Sequence, residues 1–219
     1  MTPYYQDDRA TIYCGDCREI LPTLGAFDLL LTDPPYGINY KPEGGGKGKN
    51  GKEYPAKRFT NADCVIGDGE IFNPACILEL AENMVVWGGS NFADQLPATR
   101  GWLVWDKKCG INRDNQFSDC ELAWTNWNRP IKLYTHRWTG YNRDSERDTP
   151  RQHPTQKPID LMRWCITLAG DIETIIDPFM GSGTTLHAAK LEGKHATGIE
   201  IEEKYCEIAA RRLEQGVLF

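Results

Sequence analysis

Residues 174–185 read Thr174-Ile175-Ile176-Asp177-Pro178-Phe179-Met180-Gly181-Ser182-Gly183-Thr184-Thr185. A short apolar run ends in a carboxylate, two glycines follow, and a helical pattern begins. Glycines at a strand-to-helix turn let the backbone approach a ligand closely. The dinucleotide pattern G-x-G-x-x-G is not completed, because Leu186 stands at the third glycine position. A second run, Ala196-Thr197-Gly198-Ile199, ends in Glu200. An acidic residue at that point is suited to accept both hydroxyls of a ribose, so the expected ligand is nucleoside-like and needs no pyrophosphate.

Working outward, similar apolar runs lie at 11–14, 27–32, 84–87, 102–105 and 121–124. Helical patterns fill several of the gaps, which is the signature of a doubly wound α/β fold with a mostly parallel sheet, here of seven strands. Asn73 with Pro74 predicts a helix running to about Glu82, and Pro158 opens another that Gly170 closes. Residues 182–191 and 202–215 read as two more, stopped by Gly193 and Gly216. Residues 41–58 and 139–157 resist regular structure, and loops of that length in a compact domain are usually functional or disordered. No repeat or composition break divides residues 1–219, so one domain is expected.

Apolar residues make up 40% of the chain and charged residues 26%, an ordinary globular balance. No apolar run reaches the length of a membrane span, and Met1-Thr2-Pro3-Tyr4-Tyr5 begins no signal peptide, so a cytoplasmic location is expected. The eight cysteines then read mostly as small buried apolar residues, Cys14 and Cys17 included, since no second pair completes a zinc site. The histidines show no ligand spacing, and no metal is expected. The net charge of −6 hides two basic segments. Residues 41–60 carry six basic side chains against two acidic, and residues 129–157 seven against three. Such segments suit a DNA face on an acidic body, or are merely solvated.

Asp33-Pro34-Pro35-Tyr36 follows the run Leu29-Leu30-Leu31-Thr32, where open α/β sheets bind ligands. An aromatic amino group is a poor nucleophile, because its lone pair is delocalised into the ring. The Asp33 carboxylate and the Pro34 carbonyl can each accept one of its hydrogens and draw the nitrogen toward tetrahedral geometry. Two prolines hold the main chain for this, and Tyr36 offers a flat face to a base. Gly46 and Gly51-Lys52 imitate a phosphate-binding loop, but Glu53 replaces the Ser or Thr that would hold magnesium. Gly88-Gly89-Ser90-Asn91-Phe92 either lines a base pocket or is a plain turn. Trp102, Trp105 and Trp124 are expected in the core, and Trp138-Thr139-Gly140 is read as the opening of a DNA-facing loop.

With these motifs in place, the chain resembles the S-adenosylmethionine-dependent amino-methyltransferases of DNA, the N6-adenine/N4-cytosine family, in the permuted β group where the catalytic motif precedes the cofactor motif. The resemblance covers nearly the whole chain. It implies a Rossmann-like methyltransferase sheet with Asp33, Pro34, Pro35 and Tyr36 as the catalytic segment, around a base turned out of the duplex. It assigns the cofactor to Asp16, Asp33, Thr155, Lys157, Asp177, Phe179, Gly181, Ser182, Gly183, Thr184, Thr185, Glu200 and Ile201. The segment His153-Pro154-Thr155-Gln156-Lys157-Pro158 would flank its methionine end. Asp rather than Ser at position 33 leans toward adenine N6 over cytosine N4.

Target recognition in that group usually occupies a longer insert than residues 126–152, so recognition here is short, shared with a partner, or partly carried by the basic loop. The DNA contacts expected are Lys47, Lys49, Lys52, Lys57, Arg58, Arg137 and Arg143, and a homodimer is a possible assembly. The small size and the lack of a nuclease motif suit an orphan or phage-like enzyme. The alternatives are cytosine N4 in DNA, adenine in RNA, a glutamine side chain in protein, and a DNA-binding module without catalysis. Asp33 in place of Asn argues against the protein acceptor, and the intact acceptor and cofactor segments argue against the module. Covalent catalysis would need a catalytic cysteine, and no Pro-Cys dipeptide occurs.

Overall fold

The computed structural model describes residues 1–39, 65–110, 118–139 and 142–215. In chain order the strands are β1 (Tyr5–Gln6), β2 (Ala10–Cys14), β3 (Phe27–Thr32), β4 (Ala81–Trp87), β5 (Trp102–Asp106), β6 (Cys120–Thr125), β7 (Lys132–Thr135), β8 (Trp138–Thr139), β9 (Asn142–Arg143), β10 (Thr174–Asp177) and β11 (His195–Glu200). The helices are α1 (Cys17–Ile20), α2 (Ile159–Ala169), α3 (Thr184–Leu191) and α4 (Glu203–Glu214).

β3 lies in the middle of the sheet, with Leu29, Leu30 and Leu31 all fully buried. Consecutive buried residues need protein on both faces, which is why such a strand reads as an unbroken apolar run. Among the described residues the main sheet has the order β1-β2-β11-β10-β3-β4-β6-β5-β7. From β2 to β4 every pair is parallel, so these five strands end at one edge. β6 runs antiparallel between β4 and β5, which brings its first residues to that same edge. The late strands β10 and β11 slot between the early strands β2 and β3, so the chain's last third completes the centre of the sheet.

Strand alternation sorts the core into two layers. Leu29, Leu31, Val85, Trp87 and Ile175 pack with Leu161, Cys165, Leu186 and Ala209 of α2, α3 and α4. Leu30, Val86, Ile176 and Ile199 pack on the other side with Ile20, Ile77 and Phe92. Each fully buried side chain of this size contributes about 1.5–3 kcal/mol.

The sheet exceeds the seven strands read from the sequence by β1 and β7, both short and both at its edges. Residues 139–157 are not wholly irregular, because β8 and β9 form a small antiparallel ladder. The helix expected from Asn73 is a single 3-10 turn at Pro74–Cys76. Asn73 does cap it, accepting the Ala75 N–H at 3.0 Å. The chain must already be extended at Ala81, where β4 pairs with Phe27, and that leaves no room for an α-helix. Cysteine burial is also lower than expected. Cys17, Cys165 and Cys206 are buried, whereas Cys14, Cys76 and Cys120 are exposed. Among the described residues no helix is long and apolar enough to cross a membrane.

Candidate active site

Asp33 to Tyr36 leave the carboxyl end of β3 beside the end of β10. The two ends are tied by the Thr32 hydroxyl, which donates to Asp177 Oδ1 at 2.7 Å. Asp68 then holds the segment from below. Its Oδ1 accepts the backbone N–H groups of both Tyr36 and Gly37, each at 2.9 Å, and the residue is only 5% exposed. The Tyr36 hydroxyl turns back and donates to Asp33 Oδ1 at 2.6 Å. Burial pushes the Tyr36 hydroxyl well above its ordinary pKa, with Asp33 adding to the rise, so it stays a donor.

The Tyr36 ring lies directly against Gly88, whose φ is +71°. A Cβ there would sit 1.9 Å from Tyr36 Cε1. The Gly88-Gly89 turn therefore leaves room for the Tyr36 ring. Gly88→Ala is expected to destabilise the fold by roughly 1–3 kcal/mol through backbone strain and displacement of the ring. Urea denaturation reads this, with Gly25→Ala as the control, because a Cβ on Gly25 meets nothing within 4 Å.

The other oxygen of Asp33 is held from the opposite end of the chain. Lys157 Nζ donates to Asp33 Oδ2 at 2.5 Å and to the Tyr36 oxygen at 3.1 Å, and lies 3.2 Å from Glu121 Oε2. Glu121 also pairs with Lys107 at 2.8 Å. Burial would lower the Lys157 pKa, but Asp33 and Glu121 override it and hold the ammonium well above its usual range. Burial would raise Glu121, yet Lys157 and Lys107 bring it down to about 2. Burial pushes Asp33 upward, Lys157 opposes the rise, and Glu121 adds to it.

On the β10 side the chain makes a glycine turn before α3. Gly183 has φ +77°, and a Cβ on it would meet Ala209 Cβ at 2.7 Å, so α4 packs tightly against the turn. That left-handed residue also delays α3 to Thr184, two residues later than the sequence pattern suggested. Gly181 N–H donates to Glu200 Oε2 at 3.0 Å, and Glu202 N–H donates to Oε1 at 2.8 Å. These bonds aim the Glu200 carboxylate at the turn, while burial raises its pKa to about 7. Burial likewise raises Asp177 to about 6 against the hydroxyls of Thr185 and Thr32. Phe179 packs edge-on to Phe72, which packs edge-on to Phe92.

Arg212 of α4 secures the turn from behind, donating to the Ser182 carbonyl at 2.5 Å. Ser182, Thr184 and Thr185 are all buried. His153 lies against Gly181 and packs edge-on to Tyr205. Burial, with Lys204 and Lys157, holds it down at about 4, so it is neutral. Thr155 keeps its hydroxyl 3.1 Å from His153 Nδ1.

Thus Asp33, Tyr36, Lys157, Asp177, Gly181 and Glu200 meet at one edge of the sheet. Asp16 stands at the neighbouring end of β2, where it caps α1 and pairs with Arg18. Ile201 follows Glu200 and is half exposed. Lys47, Lys49, Lys52, Lys57 and Arg58 lie outside the described residues. Arg137 precedes β8 and Arg143 lies in β9 opposite Trp138, with its guanidinium 5.1 Å over the Trp138 ring. Trp138 is buried in β8 and donates to the Gln156 carbonyl at 3.1 Å, so the segment expected to open a loop begins as a strand packed inward. Trp105 and Trp124 are core residues as expected, while Trp102 is only partly buried. Asp68, Glu121 and Arg212 belong to no motif. Only the flanking Gly67 and Gly69 marked Asp68 as part of a turn.

Residues 86–211 match the family model described as DNA methylase. The type II methyltransferase M2.LlaDCHI of Lactococcus lactis subsp. cremoris is 37% identical over 99% of this chain and 94% of its own length. The crystal structure of the M1.HpyAVI–SAM complex shares the fold with a TM-score of 0.57, at 22% identity over 93% of this chain and 98% of that one. The cytosine-N4-specific PvuII DNA methyltransferase shares it with a TM-score of 0.61, at 15% identity over 96% and 88%.

Proposed function

This chain belongs to the DNA methylase family, and on that premise we propose that it transfers a methyl group from S-adenosylmethionine to the N6 amino group of adenine in DNA. The observation that carries the reading is the placement of the Asp33-Pro34-Pro35-Tyr36 segment beside the glycine turn and Glu200. The link is the 2.7 Å bond from Thr32 to Asp177. An acceptor for an amino group and a cradle for a nucleoside then share one edge of the sheet.

The residues present suit the cofactor. Glu200, held by two backbone N–H groups, presents a carboxylate to two ribose hydroxyls. The left-handed turn at Gly181 and Gly183 lies beside that carboxylate, with Gly181 N–H donating to it. S-adenosylmethionine supplies a methyl group already activated on a sulfonium, so no metal or covalent enzyme intermediate is required. Asp33 accepts one amino hydrogen and the Pro34 carbonyl the other, which localises the lone pair on nitrogen. The base must leave the duplex to reach them, and Tyr36 bounds its pocket. As the N–C bond forms, the methyl's S–C bond breaks to leave the neutral thioether S-adenosylhomocysteine. The nitrogen gives one proton to the Asp33 carboxylate, from which it passes to solvent. The remaining catalysis is positioning.

Arg137 and Arg143, with the basic segment 41–58, are the proposed contacts to phosphate. A carboxylate at position 33 favours adenine. That the chain works as a homodimer in the cytoplasm of a bacterial or phage-infected cell is part of the same reading, and sedimentation equilibrium decides the assembly.

The test is incubation with unmethylated duplex DNA and S-adenosylmethionine bearing a deuterated methyl, followed by mass analysis of the nucleosides. Labelled N6-methyladenine is expected. Labelled N4-methylcytosine would correct the base and keep the chemistry. No label in DNA would overturn the reading.

A further inference from the structure

The resemblance gives Lys157 to the cofactor, yet its ammonium lies on Asp33. We propose that Lys157 is a positioning residue that fixes the Asp33 carboxylate as an oriented anion, and that Glu121 is the second anchor holding the ammonium in place. The purpose of this arrangement rests on the methyl-transfer reading, although its geometry does not.

An ammonium has three N–H donors. Lys157 donates to Asp33 at 2.5 Å and to the Tyr36 oxygen at 3.1 Å, and its ammonium is ion-paired with Glu121 Oε2 at 3.2 Å. Lys157 is 6% exposed on its side chain, so a donor left without one of these oxygens would have little water to turn to. Glu121 reaches this point because β6 runs antiparallel to β4 and starts at the edge where β3 and β4 end. Its second oxygen is kept by Lys107.

The consequence for Asp33 is chemical. A carboxylate offers about four lone pairs, and Lys157 and Tyr36 each take one, on different oxygens. One lone pair remains on each oxygen for a substrate hydrogen, and both oxygens are fixed. A carboxyl group buried without a counter-charge takes up a proton and becomes a donor, which would repel an amino hydrogen. The groups that bear on Asp33 are Lys157, Glu121 and Tyr36, with Lys107 acting through Glu121 and Asp177 at the end of the adjacent strand β10. Lys157 is the cation in direct contact.

The experiment follows the carboxyl carbon of Asp33 by NMR across pH, in full-length protein carrying carbon-13 aspartate, with Asp33→Asn assigning the signal. In Lys157→Met the Asp33 midpoint is expected to rise by about one to three pH units. Lys157→Gln, which is neutral but polar, should show the same rise if the methionine variant does not fold. In a Glu121→Ala background the same substitution should raise the midpoint by less than half as much, because the ammonium is no longer anchored. The acid limb of kcat should move with the midpoint, while S-adenosylmethionine affinity, read by calorimetry, holds. An unmoved Asp33 midpoint in both Lys157 variants would overturn the proposal. Equal rises in the two backgrounds would remove Glu121 from it. If the wild-type protein methylates no DNA, the functional reading fails in that assay, and the NMR titration still decides this one.

Discussion

Asp33→Ala is expected to slow single-turnover methyl transfer by roughly 10³-fold, comparable to the loss of a preorganised charge-stabilising group elsewhere. Two effects add. The amino group loses its acceptor, and the buried Lys157 ammonium loses the partner it holds at 2.5 Å. Asp33→Asn keeps the shape and one carbonyl oxygen, and should fall by a smaller factor, on the order of 10–100. Rapid-quench measurement with labelled S-adenosylmethionine and unmethylated duplex reads the rate, and calorimetry confirms that the cofactor still binds. An alanine variant within about tenfold of wild type would show that the carboxylate is not the acceptor.

Glu200→Ala is expected to weaken S-adenosylmethionine binding by about 100-fold, since a hydrogen bond to a charged group contributes roughly 1.5–3 kcal/mol and two ribose hydroxyls are involved. The raised pKa gives a sharper signature. Glu200 titrates at about 7, so acidification below that value protonates the acceptor. Affinity should fall by up to about tenfold per pH unit below 7, and the dependence should vanish in Glu200→Gln.

The stability of the cofactor-free fold runs the opposite way. Glu200 and Asp177 both have folded pKa values above their ordinary 4.5 and 3.8, so the folded state binds protons more readily than the unfolded one. That contribution is fully present below the ordinary values and is lost as pH rises through about 6 and 7. Melting temperature without cofactor should therefore decline across about pH 4 to 7 and level off above, and added S-adenosylmethionine should reverse the trend.

What could be read in advance follows from which interactions are local. Residues 27–32 and 174–176 announce themselves because a strand buried on both faces has no choice but continuous apolar residues. α2 and α4 announce themselves through spacing and stops. The edge strands β1 and β7 do not, since two to four residues beside solvent carry no pattern. Asn73 and Pro74 are a genuine helix start, but the demand of β4 at Ala81 overrides it.

The same division runs through the site. Asp33, Gly181 and Glu200 act through the turn that contains them, so their motifs travel with them. Lys157 was legible as part of a segment, yet its contact with Asp33 spans 124 positions of sequence. Asp68 and Glu121 depend wholly on which strand ends lie together. Gly88 is intermediate: the turn was visible, but the ring it accommodates was not.

One edge of the sheet should hold both the methyl donor and the target base. A crystal structure with sinefungin and a DNA duplex tests it directly. The ribose should lie on Glu200, with an adenine turned out of the helix and its amino group within hydrogen-bond distance of the Asp33 carboxylate and the Pro34 carbonyl. An undistorted duplex, or a base seated away from Asp33, would contradict it.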